Sequence, residues 1–135
     1  MSYVLIRQLL EVRLNAIAPS LPTAFENVPY TPIGAVPWQR INLLTAQTLN
    51  PTFGDGFKRE TGILQVSLNY SENAGPSATY TRGEMVRAQF PRGLTLTSGK
   101  VRVLIDQAPS FGPAMNDGGW YRLPISIPYL ADVYP

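Results

Sequence analysis

Between residues 62 and 70 apolar and polar positions alternate: Leu64, Val66, Leu68 and Tyr70 are separated by Gln65, Ser67 and Asn69. A period of two gives a strand with one dry face and one wet face, and it would scatter those apolar groups around a helix. This stretch, extended back to Arg59, predicts the central strand. Residues 38–48 precede it, with Ile41 and Leu43 set against Arg40, Asn42 and Leu44. They predict an antiparallel partner across a long loop. Val101, Val103 and Ile105 alternate with Arg102 and Asp106, which predicts another half-buried strand. Residues 120–129 predict the last, with Tyr121, Leu123, Ile125, Ile127 and Tyr129 on its dry face. Pro124 and Pro128 share the opposite parity, so both remove donors from one side only. That side is expected to be unpaired or interrupted.

The period changes to that of a helix in two places. From Ser2, a plausible N-cap, to Ala16 or Ile17, the residues Ile6, Leu9, Leu10, Arg13 and Ile17 fall near one face, widened by Leu5, Val12 and Ala16. Arg7 and Glu11 lie one turn apart on the wetter side. A helix packed on its own sheet is favoured over one that binds a partner. Pro19 and Pro22 end it. A second helix is expected from Ser77 to about Phe90, with Tyr80, Gly83, Val86, Arg87 and Phe90 at helical spacing. Ser77, or the capping-box pair Thr81 and Glu84, would start it. Gly83 costs about 1 kcal/mol there against alanine, and a close approach of helix to sheet would give a reason for it. Arg82, Arg87 and Arg92 are read as a solvated face. Residues 24–28 are expected to form a short edge strand.

The expected fold is therefore α+β over residues 1–135 as one domain. It has a single antiparallel or mixed sheet of about four or five strands, with two helices packed on one face.

Two irregular stretches remain. Residues 49–58 hold Phe53 and Phe57 around Gly54-Asp55-Gly56, and residues 108–119 hold Phe111 and Met115. Apolar groups in such segments either tuck under the domain or wait for a partner.

Composition narrows the chemistry. The 135 residues include no cysteine and no histidine. Disulfides, thiolate metal sites, cysteine nucleophiles and the usual general base are thereby excluded. Charged residues make up only 15%, which leaves neutral surface for contact with other subunits. Net charge is +2, from 11 basic and 9 acidic residues, and the basic ones form no run. Specific nucleic-acid binding is not expected. No apolar stretch reaches the ~20 residues of a membrane span, and the start lacks the pattern of a signal peptide. Manufacture in the cytoplasm is the expectation. Asn116-Asp117 lacks the spaced carboxylates of a calcium loop, and Gly54-Asp55-Gly56 lacks the Lys-Ser/Thr of a phosphate loop. No catalytic residue, metal site or cofactor is predicted.

Four segments carry a resemblance: Thr23-Ala24-Phe25-Glu26-Asn27-Val28-Pro29-Tyr30, Arg59-Glu60-Thr61-Gly62-Ile63-Leu64-Gln65-Val66, Phe90-Pro91-Arg92-Gly93, and Pro124-Ile125-Ser126-Ile127-Pro128-Tyr129 with Ala131-Asp132. Together and in this order they resemble the phage tail terminator-like family, related to the terminators that cap long non-contractile tails. The resemblance implies an α+β fold and a structural role in the virion of a phage or prophage, at the end of the tail that faces the head. It implies a homo-oligomeric ring, six-fold, seated on the last ring of the tail tube protein. That ring stops further polymerisation and offers a surface to the head connector protein; the free chain could be monomeric. No catalytic residues carry over. A ring needs two different patches on each subunit, and the two loops are the candidates for one of them, through Phe53, Asp55 and Phe57 from the first loop and Phe111 and Met115 from the second. Another head–tail joining or minor tail protein of the same fold is the neighbouring reading. A small-ligand or nucleic-acid binding domain is the reading of a different class.

Overall fold

A computed structural model describes residues 2–51, 54 and 56–135, Ser2 by its backbone alone. Helix α1 spans Ser2–Asn15. Strands β1 (Thr23–Ala24), β2 (Trp38–Thr45) and β3 (Lys58–Ser71) follow, then helix α2 (Ser77–Gln89). The rest of the chain is β4 (Thr95–Ser98), β5 (Val101–Leu104), β6 (Ser110–Phe111), β7 (Met115–Asp117) and β8 (Trp120–Val133).

All eight strands join one sheet in the order β1-β2-β3-β8-β5-β4, with β6 and β7 also paired to β8. β1 runs parallel to β2, whereas the other pairs are antiparallel, so the sheet is mixed. It is larger than the four or five strands expected. The additional strands are β4, β6 and β7, each of two to four residues. Pieces this short carry no periodic signal and exist because a longer strand offers them a backbone edge. The two long strands form the axis, pairing without a break from Lys58↔Val133 to Ser71↔Trp120.

Both prolines of β8 point away from β3. Pro124 accepts a 2.8 Å hydrogen bond from the Gly112 N–H through its carbonyl on the β6 side, and Pro128 shares its parity. On that side β8 meets β7 at residues 120–122, β6 at 125–126 and β5 at 130–133. Pro124 and Pro128 fall in the two gaps, so the interruption arises where the ring nitrogens cannot donate. β8 is nonetheless interior to the sheet.

One face of the sheet is dry. Ile41 and Leu43 of β2, Leu64, Val66 and Leu68 of β3, and Leu123, Ile125 and Ile127 of β8 are buried with both helices above them. α1 contributes Ile6, Leu10 and Leu14, spaced by four, and Ile17 just beyond its end joins them. This corrects the expected face. Leu14 is in the core, Leu5 and Leu9 flank it, and Val12 is 64% exposed. Arg13 leans on α2, where its Nε donates to the Gln89 carbonyl at 2.9 Å.

α2 has Pro76 at its N-cap and no side-chain cap, so Ser77 is its first residue and not its cap. Thr81 donates to the Ser77 carbonyl at 2.8 Å from inside the helix, so the Thr81–Glu84 pair does not start it. The reason for Gly83 is the expected close approach. A Cβ there would lie 3.2 Å from Leu123 Cδ2 and 3.2 Å from Phe111 Cζ. Arg82 departs from the solvated face predicted for it. It is 4% exposed and donates through Nη1 to the Pro19 carbonyl, tying α2 to the segment after α1. Burial lowers its pKa.

Candidate assembly surface

The other face of the sheet carries no helix among the described residues. Register places Leu44, Ile63 and Pro128 in one row across β2, β3 and β8. The adjoining row holds Thr61, Leu130 and Leu104. Leu44 is 50% exposed, and Ile63, Leu104, Pro128 and Leu130 are half-buried. The stripe is bordered by the polar row Asn42, Gln65 and Ser126. At its far end Arg59 holds Asp132 through Nε at 2.8 Å and Nη2 at 3.2 Å. An apolar stripe with a polar and charged rim is the anatomy of a protein contact. Sequence reasoning missed it. The available signal was Ile63, which is out of step with Leu64, Val66 and Leu68.

The opposite end of this face is closed by aromatic rings. Tyr30 stacks on Trp38 at 4.9 Å, Trp120 meets Trp38 edge-on at 6.0 Å, and the Arg40 guanidinium lies 5.4 Å from the Trp38 ring. Ser71 Oγ donates to the Ala35 carbonyl at 3.2 Å. These contacts pin the β1–β2 connection to the sheet while Val28, Ile33 and Val36 stay exposed.

Of the loop residues singled out from the sequence, the described ones, Phe57, Phe111 and Met115, are not brought together. Phe53 and Asp55 lie outside the described residues. Phe57 is half-buried, 5.6 Å from the Tyr134 ring and 5.6 Å from the Arg59 guanidinium. The base of its loop is closed by Leu49 and Arg59, which exchange two backbone hydrogen bonds of 2.8 Å. Phe111 packs inward on β6. It meets Tyr80 edge-on at 5.9 Å and carries the Arg87 guanidinium at 4.3 Å. Met115 is 51% exposed and pairs with Arg122 in register, on the helix-free face.

α1 is the second notable surface. A groove of about 800 Å³ runs along one flank, lined by Tyr3, Arg7, Glu11 and Phe25 among others. One of about 420 Å³ runs along the other, beside Leu96 of β4. In the first, Arg7 sits between two carboxylates, 3.3 Å from Glu26 and 3.7 Å from Glu11. Burial raises the Glu11 pKa against the pull of Arg7. At the start of α1, Tyr3 donates to Glu60 Oε2 at 2.7 Å and Thr48 donates to the same atom at 2.8 Å. The bond to Glu60 raises the Tyr3 pKa. Nearby, burial pushes the Tyr129 hydroxyl up to about 12. These groups fasten α1 and the β2–β3 loop to the sheet. Among the described residues no three of His, Cys, Asp and Glu cluster as a metal site. Among the described residues no helix is long and apolar enough to cross a membrane.

The family model described as "Phage tail terminator protein" matches residues 5–129. One solved structure, named by a sequence identifier alone, is similar at 28% identity and a TM-score of 0.81. The similarity covers 100% of this chain and 99% of that one. No curated protein sequence matches. A family match over nearly the whole length settles the assignment: the chain belongs to the phage tail terminator family, a family of structural proteins of the phage tail.

Proposed function

We propose that this protein caps the tail tube as a homo-oligomeric ring, ends tail polymerisation and presents the surface to which the head connector joins. The ring, six-fold by family resemblance, sits on the last ring of the tube protein, at the tail end facing the head. The observation that carries the reading is the one-sided sheet. Helices cover one face, while the other bears an apolar stripe with a polar rim. A surface of that kind is suited to burial against another protein. Met115 on the same face, and the β2–β3 loop with Phe53, Asp55 and Phe57, extend the contact. Phe111 supports its loop from beneath.

Electron microscopy of tails made with and without the protein tests this. Tails lacking it are expected to be of irregular length, with open ends that do not join heads. Tails of normal length and normal ends would end the proposal.

A further inference from the structure

The sheet ends at β4, but α1 does not end with it. Leu5 and Leu9 on one flank of α1, Val12 on its crest, Ala16 just past its end and Leu96 of β4 line the groove of about 420 Å³, and among the described residues no strand lies beside the outer edge of β4. The feature is an apolar slot on the flank of a helix, suited to the apolar side chains of a partner. At the opposite edge of the same sheet, the connection from β1 to β2 forms an arm. Residues 27–38 contain no charged side chain, and Pro29, Pro32 and Pro37 stiffen them. The arm exposes Val28, Ile33 and Val36, with Ile33 72% exposed.

We infer that the groove between α1 and β4 receives the arm, residues 28–36, of a second copy of this chain. The reading rests on the ring proposed above and names the contact that would build it. Slot and arm lie at opposite ends of the strand order. A contact between them joins two different patches and propagates head to tail, as a ring requires. Charge favours the same pairing. Glu72 follows Ser71, which is bonded to the arm at Ala35, and it has no cation partner among the described residues. Arg13 lines the slot, while Arg92 and Lys100 stand in the turns before and after β4. None of these three cations has a carboxylate partner among the described residues. An apolar centre is thus flanked by an acid on one partner and bases on the other. The larger groove on the other flank of α1 opens toward Phe25, on the arm's own edge, and does not offer this arrangement.

The chain has no cysteine, so the double variant Ile33→Cys with Leu96→Cys, the latter lining only the proposed slot, carries the only thiols. In tails assembled with it, mild oxidation is expected to give a ladder of covalent multimers beyond the dimer, absent from either single variant. Should the double variant fail to enter tails, the same oxidation of concentrated purified protein decides. No ladder, or cross-linking to a different polypeptide, overturns the inference. Ile33→Arg is expected to melt like the wild type and to lose roughly tenfold or more in self-association. Unchanged association overturns it too. These failures are distinct from that of the ring itself, which falls only if tails lacking the protein end normally.

Discussion

Glu26 serves β2 as a strand would: its Oε1 accepts the backbone N–H of Leu43. β1 pairs with β2 only at residues 39 and 40. Ala46 donates to Thr61 at 3.0 Å, so even-numbered residues of β2 face β3 and odd-numbered ones face outward. Leu43 is therefore on an edge beyond the reach of β1, and a carboxylate steadied by Arg7 takes its hydrogen. Open edges invite addition of foreign strands. Glu26→Ala is expected to cost about 1 kcal/mol in chemical denaturation and to speed aggregation on mild heating, followed by light scattering. Glu26→Gln keeps an acceptor and should lie between the two. Faster amide exchange at Leu43 in Glu26→Ala would be the local signature.

Gly62 gives a second outcome. A Cβ at this position would stand 2.4 Å from the Leu44 carbonyl oxygen and 2.6 Å from the Tyr129 hydroxyl oxygen. The first contact is with backbone, which yields only by shifting β2 against β3. Gly62→Ala is expected to destabilise the fold by about 1–3 kcal/mol, although alanine normally suits a strand interior better than glycine. Urea denaturation of the two proteins measures it. Gly83→Ala is milder, because its 3.2 Å neighbours are side-chain atoms and alanine gains helix propensity.

Phe111 and Met115 separate by the kind of defect they give. Phe111 touches Gly83, Tyr80 and Arg87 within its own subunit. Phe111→Asp is expected to lower the melting temperature of the isolated chain, and Phe111→Ala to cost about 2 kcal/mol, below the range for a fully buried phenylalanine. Met115 is exposed on the helix-free face. Met115→Asp should leave melting unchanged and reduce incorporation into tails, read by quantitative immunoblotting of purified particles. A stable Phe111→Asp monomer with impaired assembly would return Phe111 to the contact surface.

The same contrast explains which features were legible in the sequence. β3 and β8 declare themselves because Leu64, Val66 and Leu68, like Leu123, Ile125 and Ile127, face the helices while their neighbours face out. The parity of Pro124 and Pro128 located a break in pairing for an equally local reason. β4 is Thr-Leu-Thr-Ser, with one apolar residue, and it is a strand because β5 pairs with it. Only tertiary structure can supply that. Arg82 was misread because a guanidinium is ordinarily solvated, and the Pro19 carbonyl that offsets its burial is 63 residues away. In α1, Val12 and Leu14 are similar in hydrophobicity. The sheet's position chose Leu14 for the core and left Val12 beside the slot. The assembly stripe was hidden for a related reason, since Leu44, Ile63, Leu104 and Leu130 come together only through register.

Tyr129 sets an alkaline limit on stability. Its ring is in the core, and its hydroxyl has no protein hydrogen-bond partner among the described residues. Burial, reinforced by the neighbouring Tyr3 and Glu60, pushes its pKa from 10.0 up to about 12. A folded-state value above the unfolded one means that the native protein binds the proton more tightly. The contribution is fully present below pH 10 and is lost as pH rises through about 12. Tyr70 and Tyr3 are raised in the same direction and add to the slope. Urea midpoints are therefore expected to fall between pH 10 and about 12. Tyr129→Phe should match the wild type near neutrality, because no protein hydrogen bond is lost, and should flatten the alkaline decline without abolishing it. An unchanged decline in Tyr129→Phe would assign the whole alkaline sensitivity to the other tyrosines.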